Sequence, residues 1–118
     1  MNPQHGYDHW GKLSEGKRPV CKDDEWFYVD DVGSRLSNGT VWRYAGWFHN
    51  GYAVVIDERG EHHIDHSFQP LYAHRWAYAS PFAGEPLRAL VRDHLGTECS
   101  ISVDGSHAPA VSLPPWQQ

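Results

Sequence analysis

TVWRYAGWFHNGYAVVIDERGEHHIDH, residues 40–66, is the stretch whose reading decides the fold. Asn50-Gly51 inside it is a strong β-hairpin signal, because both residues tolerate the positive φ that a type I′ turn demands. Thr40 to His49 therefore reads as one strand and Tyr52 to Ile56 as its return. Asp57-Glu58-Arg59-Gly60 has Asp first and Gly fourth, which suits a type I turn closed by a left-handed glycine. Glu61 to His66 is then a third strand.

The two turns set a register. A two-residue loop at Asn50-Gly51 pairs Trp47 with Val54 and Ala45 with Ile56, and a three-residue loop at Glu58-Arg59-Gly60 pairs Ile56 with His62 and Val54 with Ile64. One face then carries Ala45, Trp47, Tyr52, Val54, Ile56 and Ile64 and is expected to be the core side. The other carries Trp42, Tyr44, Phe48, Ala53 and Val55 and is expected to face outward. Gly46 in mid-strand marks the point where a bulge would exchange the faces.

Upstream, residues 1–22 are polar and glycine-containing with no sustained period, which predicts an irregular N-terminal arm anchored by Tyr7, Trp10 and Leu13. Trp26-Phe27-Tyr28-Val29 opens the meander, expected over residues 26–76, and Leu71 to Trp76 is its fourth strand. Downstream, Leu87, Leu90, Val91 and Leu95 recur at helical spacing, with Pro86 suited to a first turn and Gly96 to a C′ position. This predicts an amphipathic helix over 85–96. Alternation at Cys99, Ile101 and Val103 predicts a last strand over 98–103, and residues 106–118 are read as an extended tail. No internal repeat is read.

With 118 residues the chain is expected to be a single domain. Six Trp, six Tyr and four Phe supply large rings, a few of which fill a small core. A formal charge of −5 and scattered basic residues exclude a phosphate-tracking surface, so no nucleic-acid partner is expected. Nine histidines make the charge pH-sensitive. The first residues hold no basic segment followed by an apolar run, and no later stretch is long enough to span a bilayer, so a cytoplasmic location without membrane contact is expected. Cys21 and Cys99 form no C-x-x-C pair and are read as free thiols.

Asp31-Val32-Gly33, Gly39-Thr40-Val41, Tyr52-Ala53-Val54-Val55-Ile56-Asp57, Gly60 and Gln69-Pro70-Leu71 together resemble the SH3-like and Tudor-like small β-barrels. The resemblance covers residues 26–76. It implies a binding module for peptides, nucleic acids or methylated side chains, in some members an oligomer. The expected fold is mainly β, a β-rich α+β chain whose antiparallel meander forms a small SH3-like barrel or roll, followed by one C-terminal helix and a final strand.

Three functional readings follow. The first is a non-catalytic interaction module, homo-oligomeric or ligand-binding, using the aromatic face of Trp42, Tyr44, Phe48 and Val55 with Trp26 and Tyr28. Asp23, Asp24, Glu25, Asp30 and Asp31 flank Trp26, Phe27 and Tyr28, a pattern that suits cation binding over rings. The second is a small metal-dependent enzyme. His63 and Asp65, with Glu61 beside them, offer imidazole and carboxylate ligands for a divalent transition metal. His62 and His66, about 13 Å apart along a strand, are too distant to share an ion. The third is an acidic, pH-responsive inhibitor or immunity-type protein. No G-x-S-x-G elbow, H-E-x-x-H helix or glycine-rich phosphate loop is present, so no catalytic residue is assigned.

Overall fold

The computed structural model describes residues 6–36 and 39–109. Ten strands occur among them: β1 His9–Trp10, β2 Arg18–Lys22, β3 Glu25–Val29, β4 Tyr44–Ala45, β5 Ala53–Asp57, β6 Gly60–Ile64, β7 Tyr78–Ala79, β8 Arg88–Arg92, β9 Glu98–Ser102 and β10 His107–Pro109. They form three antiparallel sheets in the orders β1-β2-β3, β4-β5-β6 and β10-β9-β8-β7. Neighbouring sheets are stitched by paired backbone bonds, Trp26 with Trp42 (2.9 Å each way) and Glu61 with Trp76 (2.8 Å each way). Every strand thus lies beside its neighbour in sequence, and the molecule extends over 58 × 28 × 23 Å.

The structure corrects the expected fold class. Among the described residues there is no helix, and the sheets do not close into a barrel. Where a helix over 85–96 is expected, β8 runs into a turn. The misleading period has a plain cause: Ala89 and Val91 enter the core, Leu90 points outward, and Leu95 sits 93% exposed at the turn tip. Four apolar residues at helical spacing therefore belong to two faces of a strand and a loop. The expected arm over 1–22 supplies β1 and β2, and residues 71–76 contribute only the Trp76 bridge rather than a fourth strand. The part of the expected tail beyond Pro109 lies outside the described residues.

The three sheets are copies of one unit of about 35 residues, which corrects the reading of a chain without repeats. Each unit opens with a short edge strand, makes a bulge, and turns into a long hairpin. Asp8, Arg43 and Ala77 donate equivalent backbone bonds to Cys21, Ile56 and Arg92, and Gly11, Gly46 and Ser80 do so to Pro19, Val54 and Leu90. The sequence echo is Trp42-x-Tyr44-Ala45-x-x-Phe48 against Trp76-x-Tyr78-Ala79-x-x-Phe82. After the hairpins come matching five-residue turns beginning at Asp30, Asp65 and Ser102. Asp30 Oδ1 accepts the N–H groups of Val32 and Ser34, and Asp65 Oδ1 those of Ser67 and Gln69. The fourth residue of each turn is left-handed: Gly33 (φ 94°), Phe68 (φ 65°) and Gly105 (φ 87°). Phe68 holds this strained conformation while its ring lies 5.5 Å from that of Tyr28 in the neighbouring core.

Each unit has its own core. Val20, Phe27 and Val29 form the first, with Tyr7 and Trp10 against them. Trp42, Ala45, Phe48, Ala53, Val55 and Ile64 form the second together with Tyr28 from the preceding hairpin. Trp76, Ala79, Phe82, Ala89, Val91 and Ile101 form the third, against which Tyr52 and Val54 pack from the second unit. The β5–β6 hairpin therefore buries one face in its own core and most of the other against the next unit, the nearest-neighbour packing of a repeat array.

This arrangement also corrects the expected faces. His49 pairs with Tyr52 as the Asn50-Gly51 turn requires, but Ala45 pairs with Val55, so three residues, 46–48, oppose two. The bulge at Gly46 is the one at which the faces exchange. The second hairpin closes through Glu58-Arg59 alone, pairing Val55 with His62 and Ala53 with Ile64. Together the shifts bring Phe48 and Val55 inward, and Trp42, which lies outside β4 and bridges Trp26, joins the same core. Among the described residues, no helix is long and apolar enough to cross a membrane.

Candidate functional site

The residues expected to form an exposed aromatic surface divide into two groups. Trp42, Phe48, Val55 and Tyr28 are core, each no more than 7% exposed. Tyr28 spends its hydroxyl on the bulge carbonyl of Gly46 (2.6 Å), and burial pushes its phenol well above the usual range. Tyr44 and Trp26 lie instead where successive sheets meet.

At the first junction the rings of His9, Trp26 and Tyr44 follow one another, with His9 stacked on Trp26 at 5.4 Å and Trp26 tilted against Tyr44 at 5.0 Å. The pairing registers His9 to Cys21 to Trp26 and Tyr44 to Ile56 to Glu61 put these side chains in equivalent rows across their sheets. At the second junction Tyr44 therefore takes the place of His9, Tyr78 that of Tyr44, and Glu61 that of Trp26. A carboxylate stands where an indole filled the gap.

The consequence is a groove of about 270 Å³ between the second and third sheets. Tyr44, Trp47, Val54, Ile56, Tyr78 and Glu61 supply its side-chain walls. Tyr44, Trp47 and Tyr78 are 41%, 43% and 40% exposed, so three large rings keep much of their surface in water around one concavity. Glu61 is held in place by the Ala79 N–H, which donates to its Oε1 at 2.8 Å. Trp47 reaches the groove because the bulge turns it away from the core that takes Phe48.

Glu61, His63 and Asp65, the expected metal ligands, have separate tasks. His63 is fully buried in the third core, its ring 4.3 Å from Phe82, with Nε2–H donating to Ser80 O at 2.7 Å and Nδ1 facing the Tyr72 hydroxyl. The carbonyl fixes the neutral tautomer, and burial pulls the imidazole down to about 4. Ser80 is the equivalent of Gly46, so His63 makes from the second unit the bond that Tyr28 makes from the first. Asp65 caps its turn and Glu61 lines the groove. Among the described residues, no cluster of three or more His, Cys, Asp or Glu could hold a metal ion.

A second cleft of about 210 Å³ lies between Asp24, Glu25, Trp42, Arg43, Asp57 and Glu58. Its charges are of both signs, and Asp57 already accepts from Arg75 Nε at 2.7 Å, which holds its carboxyl below the usual range. Cys21 and Cys99 are free, and burial raises both thiols, which makes them poor nucleophiles.

The groove residues missed by the sequence reading are Trp47 and Tyr78. The signal for Trp47 is the mid-strand Gly46, where a bulge exchanges the faces, and the signal for Tyr78 is the repeat, since aligning Trp42-x-Tyr44-Ala45 with Trp76-x-Tyr78-Ala79 marks Tyr44 and Tyr78 as one position. Comparison with protein-family models, with curated proteins and with solved structures finds no match.

Proposed function

We propose that the chain is a non-catalytic binding module of β-sheet repeats that receives one side chain or small ligand in the groove between its second and third units. The observation that carries this reading is the unfilled junction. The first junction is closed by Trp26, whereas the second leaves Tyr44, Trp47 and Tyr78 half in water around an open concavity. Exposed rings gathered in a groove are costly to leave solvated, and they provide contact area at small conformational cost. The volume suits a side-chain end rather than an extended cofactor.

The reading is tested by amide chemical-shift mapping of the full chain against capped amino-acid amides at millimolar concentration. Shifts are expected to cluster at residues 44–47, 54–56 and 78–81. Shifts scattered over the surface, or none, would refute it.

A further inference from the structure

We infer that the groove takes a planar cation, the guanidinium of an arginine side chain on a partner chain, lodged between Tyr44 and Tyr78 and against the Glu61 carboxylate. This rests on the binding reading above and gives it a ligand class.

The first junction shows what this space holds. There a flat group, the Trp26 indole, lies between His9 and Tyr44. The equivalent walls at the second junction are Tyr44 and Tyr78, and the groove they line is open where the indole would stand. Replacement by Glu61 does more than empty the space. It sets a carboxylate at the groove wall, where a neutral chain end would have left it apolar.

Charge then selects among flat groups. Glu61 spends one hydrogen bond on the Ala79 N–H, and a carboxylate has about four acceptor positions, so it can take a forked donor as well. Among the described residues no cation pairs with Glu61. The net charge of −5 favours a cationic partner. Guanidinium alone among side chains combines a planar face, a permanent charge and a fork of N–H donors. The chain itself shows how its rings receive this group: Arg18 lies 4.5 Å over Trp10 and Arg35 lies 4.1 Å over Phe27. An ammonium would meet the carboxylate but bring no flat face to the rings.

The test is titration of the full chain, by shift mapping and calorimetry, with N-acetyl-argininamide, N-acetyl-lysinamide and N-acetyl-tryptophanamide. Argininamide is expected to bind at the groove about fivefold more tightly than lysinamide, and Glu61→Gln to remove about that factor for argininamide alone. Glu61→Trp, which installs the first junction's residue, is expected to block all three amides while the circular dichroism and melting profile are kept. Should that variant unfold, loss of binding in Tyr78→Ala carries the same weight, and retained binding there overturns the inference. Tryptophanamide binding as tightly as argininamide, with Glu61→Gln without effect, overturns the ligand class and leaves the binding reading standing. Failure of every amide to shift the groove resonances overturns both.

Discussion

Lowering the pH from about 7.5 to about 5 should destabilise the fold through two adjacent histidines, His62 and His63. Both are at most 2% exposed, and burial brings each imidazole from near 6.5 down to about 4. The folded chain therefore keeps both neutral in a range where the unfolded chain protonates them. Stability is full above about pH 6.5, falls as the pH drops towards 4, and levels off below that. For a group moved from 6.5 to about 4, the linkage relation gives a loss of about 2 kcal/mol at pH 5, hence about 4 kcal/mol for the pair. The carboxyls of Glu15 and Asp57 are lowered by their partners, so their contribution is lost only at still lower pH and does not mask this window. Urea titrations followed by tryptophan fluorescence at the two pH values measure the difference. The matched control is the double variant His62→Phe, His63→Tyr, which writes the first unit's Phe27 and Tyr28 into the second. The introduced phenol can reach Ser80 O as Tyr28 reaches Gly46 O. The double variant should lose less than about 1 kcal/mol over the same interval. An equal loss in the double variant and the wild type would refute the assignment to these two rings.

Other consequences follow from particular contacts. Phe48→Ala should cost about 3–5 kcal/mol in chemical denaturation, because Phe48 is fully buried in the second core; a change under about 1 kcal/mol would contradict that packing. Tyr28→Phe should cost about 1–2 kcal/mol, since it orphans the buried Gly46 carbonyl without opening a cavity. Gly60→Ala should destabilise by about 3 kcal/mol or more, as its Cβ would lie 2.5 Å from Trp76 O at φ +138°, whereas Gly51→Ala, at φ +91° with no atom within 4 Å, should cost only about 1 kcal/mol. Thermal melts of the two glycine variants check the contrast, and equal shifts would contradict the close approach at the second junction.

How much of this was legible in the sequence depended on whether the signal was local. The Asn50-Gly51 turn announces itself because φ of +55° and +91° are demanded of two neighbouring residues that tolerate them. The β5–β6 hairpin was legible from the next turn, where Asp57 and Gly60 close it. The faces were not, because a bulge adds one residue at Gly46 and alternation has no way to count it: Trp47 and Phe48, adjacent in sequence, go to the groove and the core. Burial of both faces of β5–β6 is equally invisible to a method that seeks one apolar and one polar side, since the cover for Val54 and His63 comes from the next unit. The same logic explains Leu90. It occupies the row of Pro19, which is buried, and of Val54, which is half-buried against the third core, yet among the described residues no further unit covers it and it stands 40% exposed. Its exposure supplied one of the apolar positions that mimicked a helix. Metal-like spacing at Glu61, His63 and Asp65 arose in a similar way, as three residues filling three unrelated positions of the repeat: a junction, a cross-unit hydrogen bond and a turn cap. The candidate site is legible only by comparing units, because what makes it is a difference between junctions rather than a motif: an indole in one, a carboxylate in the other, and two rings left facing the space between.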